Sequence, residues 1–123
     1  MIPVASFLRD YDAMPGMLCS EPVLAYLRAS GRVAGDIAPE RQRAIFERYG
    51  VVRALAICGR ALGFRLVRPL RLAEGDAVLL RAPQVRGGAI CGLIGRDGCA
   101  LALAGDALVG WSAPDVLRVA EFG

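Results

Sequence analysis

The sequence predicts an α+β domain, with N-terminal helices packed on a C-terminal antiparallel sheet or half-barrel and residues 1–123 forming a single unit. Three observations lead there. Apolar residues recur at helical spacing in the first half. From Phe64 onward they fall into short stretches parted by regular Gly, Pro and Asp turns. The length, 123 residues, suits one core.

Asp10 to Gly16 reads as a loop, with Pro15-Gly16 as its turn signal. A helix follows over residues 19–30. Pro22 is tolerated only in a first turn, where its missing N–H is no loss, and Gly31 suits the left-handed position after the last turn. This helix should bury Val23, Leu24 and Leu27. Pro39 opens a second helix, charged at first and carrying Ala44, Ile45 and Phe46, with Tyr49 and Gly50 at its end. A third covers residues 51–62, its core face formed by Val51, Leu55, Cys58 and Leu62. Strands are then expected over Phe64–Val67, Ala77–Arg81, Ala89–Ile94, Cys99–Ala104 and Val116–Phe122. The signals between them are Pro69, Glu74-Gly75-Asp76, Arg86-Gly87-Gly88, Gly95 to Gly98, Gly105-Asp106 and Ala113-Pro114-Asp115.

The hydrophobic fraction is 55% and the mean hydropathy +0.45, both high for a small domain with a large surface-to-volume ratio. Alanine supplies part of the excess. All 15 basic residues are arginine, and that bias points to a GC-rich genome. That bias alone accounts for the excess on one reading; on the other, apolar surface is buried against partner subunits, since large exposed patches mark interfaces. The net charge is +3. The arginines are scattered, and even Arg41, Arg43 and Arg48 have Glu40 and Glu47 among them, which describes a solvated helix face and no nucleic-acid footprint. The first ten residues lack a basic n-region with a continuous apolar stretch, and no apolar run approaches the ~20 residues that cross a bilayer. Synthesis in the cytoplasm is expected.

Cys19, Cys58, Cys91 and Cys99 match no zinc spacing and give an iron–sulfur cluster no support. Folding strands about Gly95 to Gly98 leaves Cys91 and Cys99 about 13 Å apart at ~3.3 Å per strand residue, too far for a disulfide. Buried free thiols are expected, with no metal and no cofactor. Gly87-Gly88 and Gly95-x-x-Gly98 are turns and no phosphate cradle, Glu74 to Asp76 is a surface turn, and Trp111 packs in the core or between subunits.

The position suggestive of chemistry is Cys19. A thiol at a helix N-terminus feels the positive end of the macrodipole and unpaired N–H groups, which lower its pKa. A cysteine nucleophile also needs a base that takes its proton and passes it to the leaving group, a task imidazole performs near neutral pH. The chain contains no histidine. A carboxylate in that role would raise the thiol pKa by repulsion.

A loop, a cysteine opening a helix, further helices, then Glu74-Gly75-Asp76-Ala77-Val78-Leu79-Leu80 entering a sheet resembles the NlpC/P60 branch of papain-like cysteine peptidases. The family pattern has an aspartate before the cysteine, a Gly-Asp turn before a strand, and a later strand that opens with the catalytic histidine and ends in glycine. The matching strand here is Ala89-Ile90-Cys91-Gly92-Leu93-Ile94-Gly95, so Ala89 stands at the histidine position and Leu18 at the aspartate position. The pattern is similar, over roughly residues 7–122, to degenerate phage-encoded proteins of siphophage and gene-transfer-agent tail-tip genes. Those keep the cysteine and Gly-Asp turn, carry a small residue for the histidine, and end in a Gly-x-Asp-Gly hairpin, here Gly95-Arg96-Asp97-Gly98.

The resemblance implies a catalytically inactive virion component, made in the host cytoplasm and placed in the tail. Its partners would be tail-tip, hub or fibre proteins in a hetero-oligomeric assembly, with Cys19 a vestigial nucleophile. Phe64, Leu66, Trp111 and Phe122 are the interface candidates. Two alternatives stay open: a cysteine hydrolase acting on peptidoglycan, with Cys19 as nucleophile and a base from elsewhere, and a cytoplasmic adaptor domain that binds a partner protein.

Overall fold

A computed structural model describes residues 1–123. Three helices precede six strands: α1 (Val4–Asp10), α2 (Ser20–Ala29), α3 (Pro39–Leu62), β1 (Phe64–Val67), β2 (Ala77–Arg81), β3 (Ala89–Ile94), β4 (Ala100–Ala104), β5 (Ala107–Trp111) and β6 (Val116–Phe122). The expected α+β class holds.

The loop after Asp10 and the helix after it fall where predicted, with Cys19 at the N-cap of α2 and Val23, Leu24 and Leu27 buried. The two helices expected on either side of Gly50 run on as α3. Gly50 itself adopts φ 77° and ψ 168°, a conformation outside the helix that breaks the hydrogen-bond ladder and kinks it. Beyond the kink Leu55 and Cys58 are buried, while Val51 and Leu62 pack half-buried against the same core. Gly63, at φ 95°, caps α3 in the left-handed conformation and turns the chain directly into β1.

The sheet is antiparallel throughout, in the order β1-β6-β2-β3-β4-β5. The Gly95 to Gly98 turn joins β3 to β4, closed by Gly95 N–H donating to the Cys99 carbonyl at 2.7 Å. Two elements were missing from the expectation. One is α1, whose Val4 and Leu8 form a single buried i, i+4 stripe and whose docking is fixed by Tyr26 Oη donating to the Ile2 carbonyl at 2.6 Å. The other is β5, which follows Gly105-Asp106 and pairs with β4 from Ala104↔Ala107 to Ala100↔Trp111.

The expected antiparallel sheet is open, and its two sides show how it curls. Ala77, Leu79, Ala89, Cys91, Leu93, Leu103 and Ala120 face the helices and join their core. The opposite face carries Val78, Leu80, Ile90, Ile94, Ala100, Ala102 and Val119, which are buried with Val67, Trp111 and Val116 packed against them. All six strands thus contribute to one cluster with no helix of its own, the arrangement of a sheet curled on itself. A bulge supports the curl: Leu79 pairs Arg118 but Leu80 pairs Val116, so Leu117 is the extra residue and Val116 and Val119 both reach the inner face. Closure into a barrel does not occur, because β1 and β5 end the sheet as unpaired edges. No helix is long and apolar enough to cross a membrane.

Candidate functional site

α2 is aimed by polar contacts at both ends. At its start the Glu21 carboxylate accepts from the Leu18 N–H at 2.8 Å, tying the residue before the Cys19 N-cap back to the first turn. Next to the cysteine, Ser20 Oγ donates to Gln42 Oε1 at 2.7 Å, and Gln42 Nε2 donates to the Ile37 carbonyl at 2.8 Å. Ser20 and Gln42 are both buried, so this chain of bonds fixes α2 against the start of α3. At the other end Arg32 donates to the Gly75 carbonyl at 3.1 Å, pairs with Asp76 at 3.6 Å, and lies 5.1 Å from the centre of the Phe122 ring. Asp76 accepts from the Ala73 N–H at 2.8 Å. The Gly-Asp turn is therefore an anchor between the helical layer and the sheet.

This frame brings the N-terminus of α2 onto β3. The Cys19 sulfur accepts from the Cys91 backbone N–H at 3.3 Å. The Cys91 thiol donating to it is the main force lowering the Cys19 pKa below the ordinary cysteine range, burial opposes it, and the surrounding N–H groups add to the lowering. The same hydrogen bond, reinforced by burial, holds the Cys91 thiol well above its usual range, with the charges of Cys19 and Cys58 pushing it the same way. Burial likewise raises Cys58.

The two directions fix the pH behaviour. Cys19 thiolate stabilises the fold above the pKa of the unfolded thiol, a contribution lost as pH falls through its depressed folded pKa. Protonated Cys91 stabilises the fold below the pKa of the unfolded thiol, a contribution lost as pH rises through its elevated one. Thiolate absorbance near 240 nm should therefore show a first step below the usual cysteine range that disappears in Cys19→Ser. A first step unchanged by that substitution would contradict the thiol–thiol assignment.

Ala89 is buried on the same face of β3 as Cys91, two residues earlier. A shallow cleft of about 530 Å³ opens alongside, lined by Leu18, Phe46, Glu47, Val51, Arg86 and Gly87. Among the four interface candidates, Phe64 is only 5% exposed, belongs to the intramolecular core, and has little surface to offer a partner. Leu66, Trp111 and Phe122 are half-buried. The larger exposed apolar side chains are elsewhere: Met1 and Met14 before α2, Tyr49, Val52 and Ile57 on α3, Leu70 and Leu72 in the β1–β2 loop, and Leu108 on the edge strand β5. Cys58 and Cys91 are buried as expected, whereas Cys19 and Cys99 are half-buried, and all four are free. No group of three or more His, Cys, Asp or Glu side chains is arranged to hold a metal ion.

The thiol pair is the feature missed from the sequence. Alternation puts residues 89 and 91 on one face of β3, but which helix end that face meets is a long-range matter. Comparisons with protein-family models, curated proteins and solved structures return no match to this chain.

Proposed function

We propose that this chain is a structural component of a phage or phage-like tail tip, an NlpC/P60-like domain without peptidase chemistry, packed against hub or fibre proteins. The observation that carries the reading is the environment of Cys19. Its sulfur accepts from the Cys91 N–H, the Cys91 thiol is the side chain that lowers its pKa, and the aligned position two residues earlier is the methyl group of Ala89. A thiol donor holds charge on a sulfur but relays no proton to a leaving amine, so acyl transfer stalls after attack. What survives is a shape: a cysteine-tipped helix docked on the central strand, a Gly-Asp anchor and a curled sheet. The mean hydropathy of +0.45 and the exposed Val52, Ile57, Leu70 and Leu108 support burial of this shape in a permanent assembly.

Mass spectrometry of purified tail particles from the producing strain tests this reading. The chain should be present in fixed proportion to the hub proteins and resist removal by salt. Its presence only in the soluble cell fraction would favour the adaptor reading.

A further inference from the structure

We propose that Cys19 and Cys91 form a peroxide-sensitive thiol pair, with Cys19 the sulfur attacked by the oxidant and Cys91 the sulfur that resolves it into an intramolecular disulfide. The geometry carries this. The two residues meet across the α2–β3 contact, where the Cys19 sulfur accepts from the Cys91 backbone N–H at 3.3 Å. The two are unequal in access: Cys19 keeps part of its surface open to solvent, whereas Cys91 is 0% exposed. A small oxidant therefore reaches Cys19 first, and the sulfur it reaches is surrounded by donors that favour the nucleophilic thiolate. Cys58 is also 0% exposed, while Cys99 lies beyond the β3–β4 turn, so neither competes as the resolving partner.

The chemistry balances with hydrogen peroxide as the two-electron oxidant. The Cys19 thiolate attacks one peroxide oxygen, the O–O bond breaks, and hydroxide leaves to be protonated to water, giving a sulfenic acid at Cys19. Cys91 then loses its proton and its sulfur attacks Cys19, forming the S–S bond and breaking S–O, with a second water released. Both sulfurs are oxidised by one electron each and the peroxide is reduced. Converting Cys19 to an uncharged sulfenic acid also removes the thiolate charge and the hydrogen bond that keep Cys91 protonated. The first step thus prepares the second. This pair is independent of whether the chain sits in a tail, and its failure would leave that reading untouched.

Peroxide treatment of the full chain, blocking of remaining thiols and tryptic mapping give the test, since each cysteine falls in its own peptide. The expected product is a reducible link, two hydrogens lighter, between residues 10–28 and 87–96. In Cys91→Ser the oxidised form should stop at a sulfenic acid on Cys19, captured by dimedone. In Cys19→Ser, Cys91 should stay reduced. A wild-type chain whose Cys99 oxidises while Cys19 stays reduced would overturn the proposal, as would a disulfide joining any other two peptides. Because the wild-type map decides the matter, misfolding of either variant leaves the test intact.

Discussion

Gly59→Ala should lower the stability of the domain by roughly 2 kcal/mol, a fall in Tm on the order of 10 °C. Two effects oppose one another here. Glycine inside a helix costs about 1 kcal/mol relative to alanine, so the substitution taken alone favours α3. But Gly59 is buried in the last turn of α3, where β1 folds back beneath it. A Cβ at this position would lie 2.7 Å from the Phe64 carbonyl oxygen and 2.7 Å from the Phe64 ring. The Phe64 ring is packed in the core at 5% exposure, and the carbonyl is held by the short α3–β1 connection. Overpacking of this kind costs typically 1–3 kcal/mol and more where backbone has to move, so strain wins over propensity. Thermal denaturation followed by circular dichroism reads the difference. An unchanged or higher Tm would mean that the α3–β1 junction is looser than described.

Gln42→Leu should be the more damaging of the two, at about 3 kcal/mol. Leucine is apolar and near enough in size to fill the site, so the loss comes from what it leaves behind. The buried Ser20 hydroxyl loses its acceptor and the Ile37 carbonyl loses its donor. Each stranded polar group costs about 1–3 kcal/mol, whereas removing both members of a pair is far cheaper. Ser20→Ala added to Gln42→Leu should therefore recover about 1 kcal/mol instead of adding a further loss. Urea denaturation of the two single variants and the double variant measures the coupling. Additive losses would show that the Ser20–Gln42 bond does not hold α2 against α3. Since Ser20 adjoins Cys19, Gln42→Leu should also release the thiol from its fixed place on β3.

Much of this fold was legible because local chemistry and tertiary structure agree. Pro22, Pro39 and Gly31 mark helix ends by their own dihedral limits, and the turns before β2, β4 and β6 carry the residues that such turns require. The missed elements lack such markers. The helix α1 has seven residues, no side-chain cap and a stripe of two buried side chains, so its existence depends on the core it docks against. The strand β5 has Gly110 in its interior and small or exposed side chains around it, and it forms because β4 offers a free edge. An aromatic at a strand start, such as Phe64, reads alike as core or as partner surface. The α3 cap at Gly63 decides the matter by folding it inward.

The candidate site divides the same way. Placing Cys19 at a helix start followed from Pro22, and the absence of imidazole is a property of composition. Its pairing with Cys91 is a long-range contact across 72 residues, which spacing alone does not encode. Gln42 was hidden for a related reason. In a helix turn containing Glu40, Arg41 and Arg43 it reads as one more solvated polar residue, and only the register of α3 against α2 turns it inward.

The central claim is that the sulfur of Cys19 has lost acyl-transfer chemistry while the scaffold around it persists. Incubating the purified chain and its Cys19→Ala variant with soluble muropeptides, and following products by mass spectrometry, tests it most directly. The two proteins should give the same background. Peptide release by the wild-type chain alone would contradict the claim and restore the hydrolase reading.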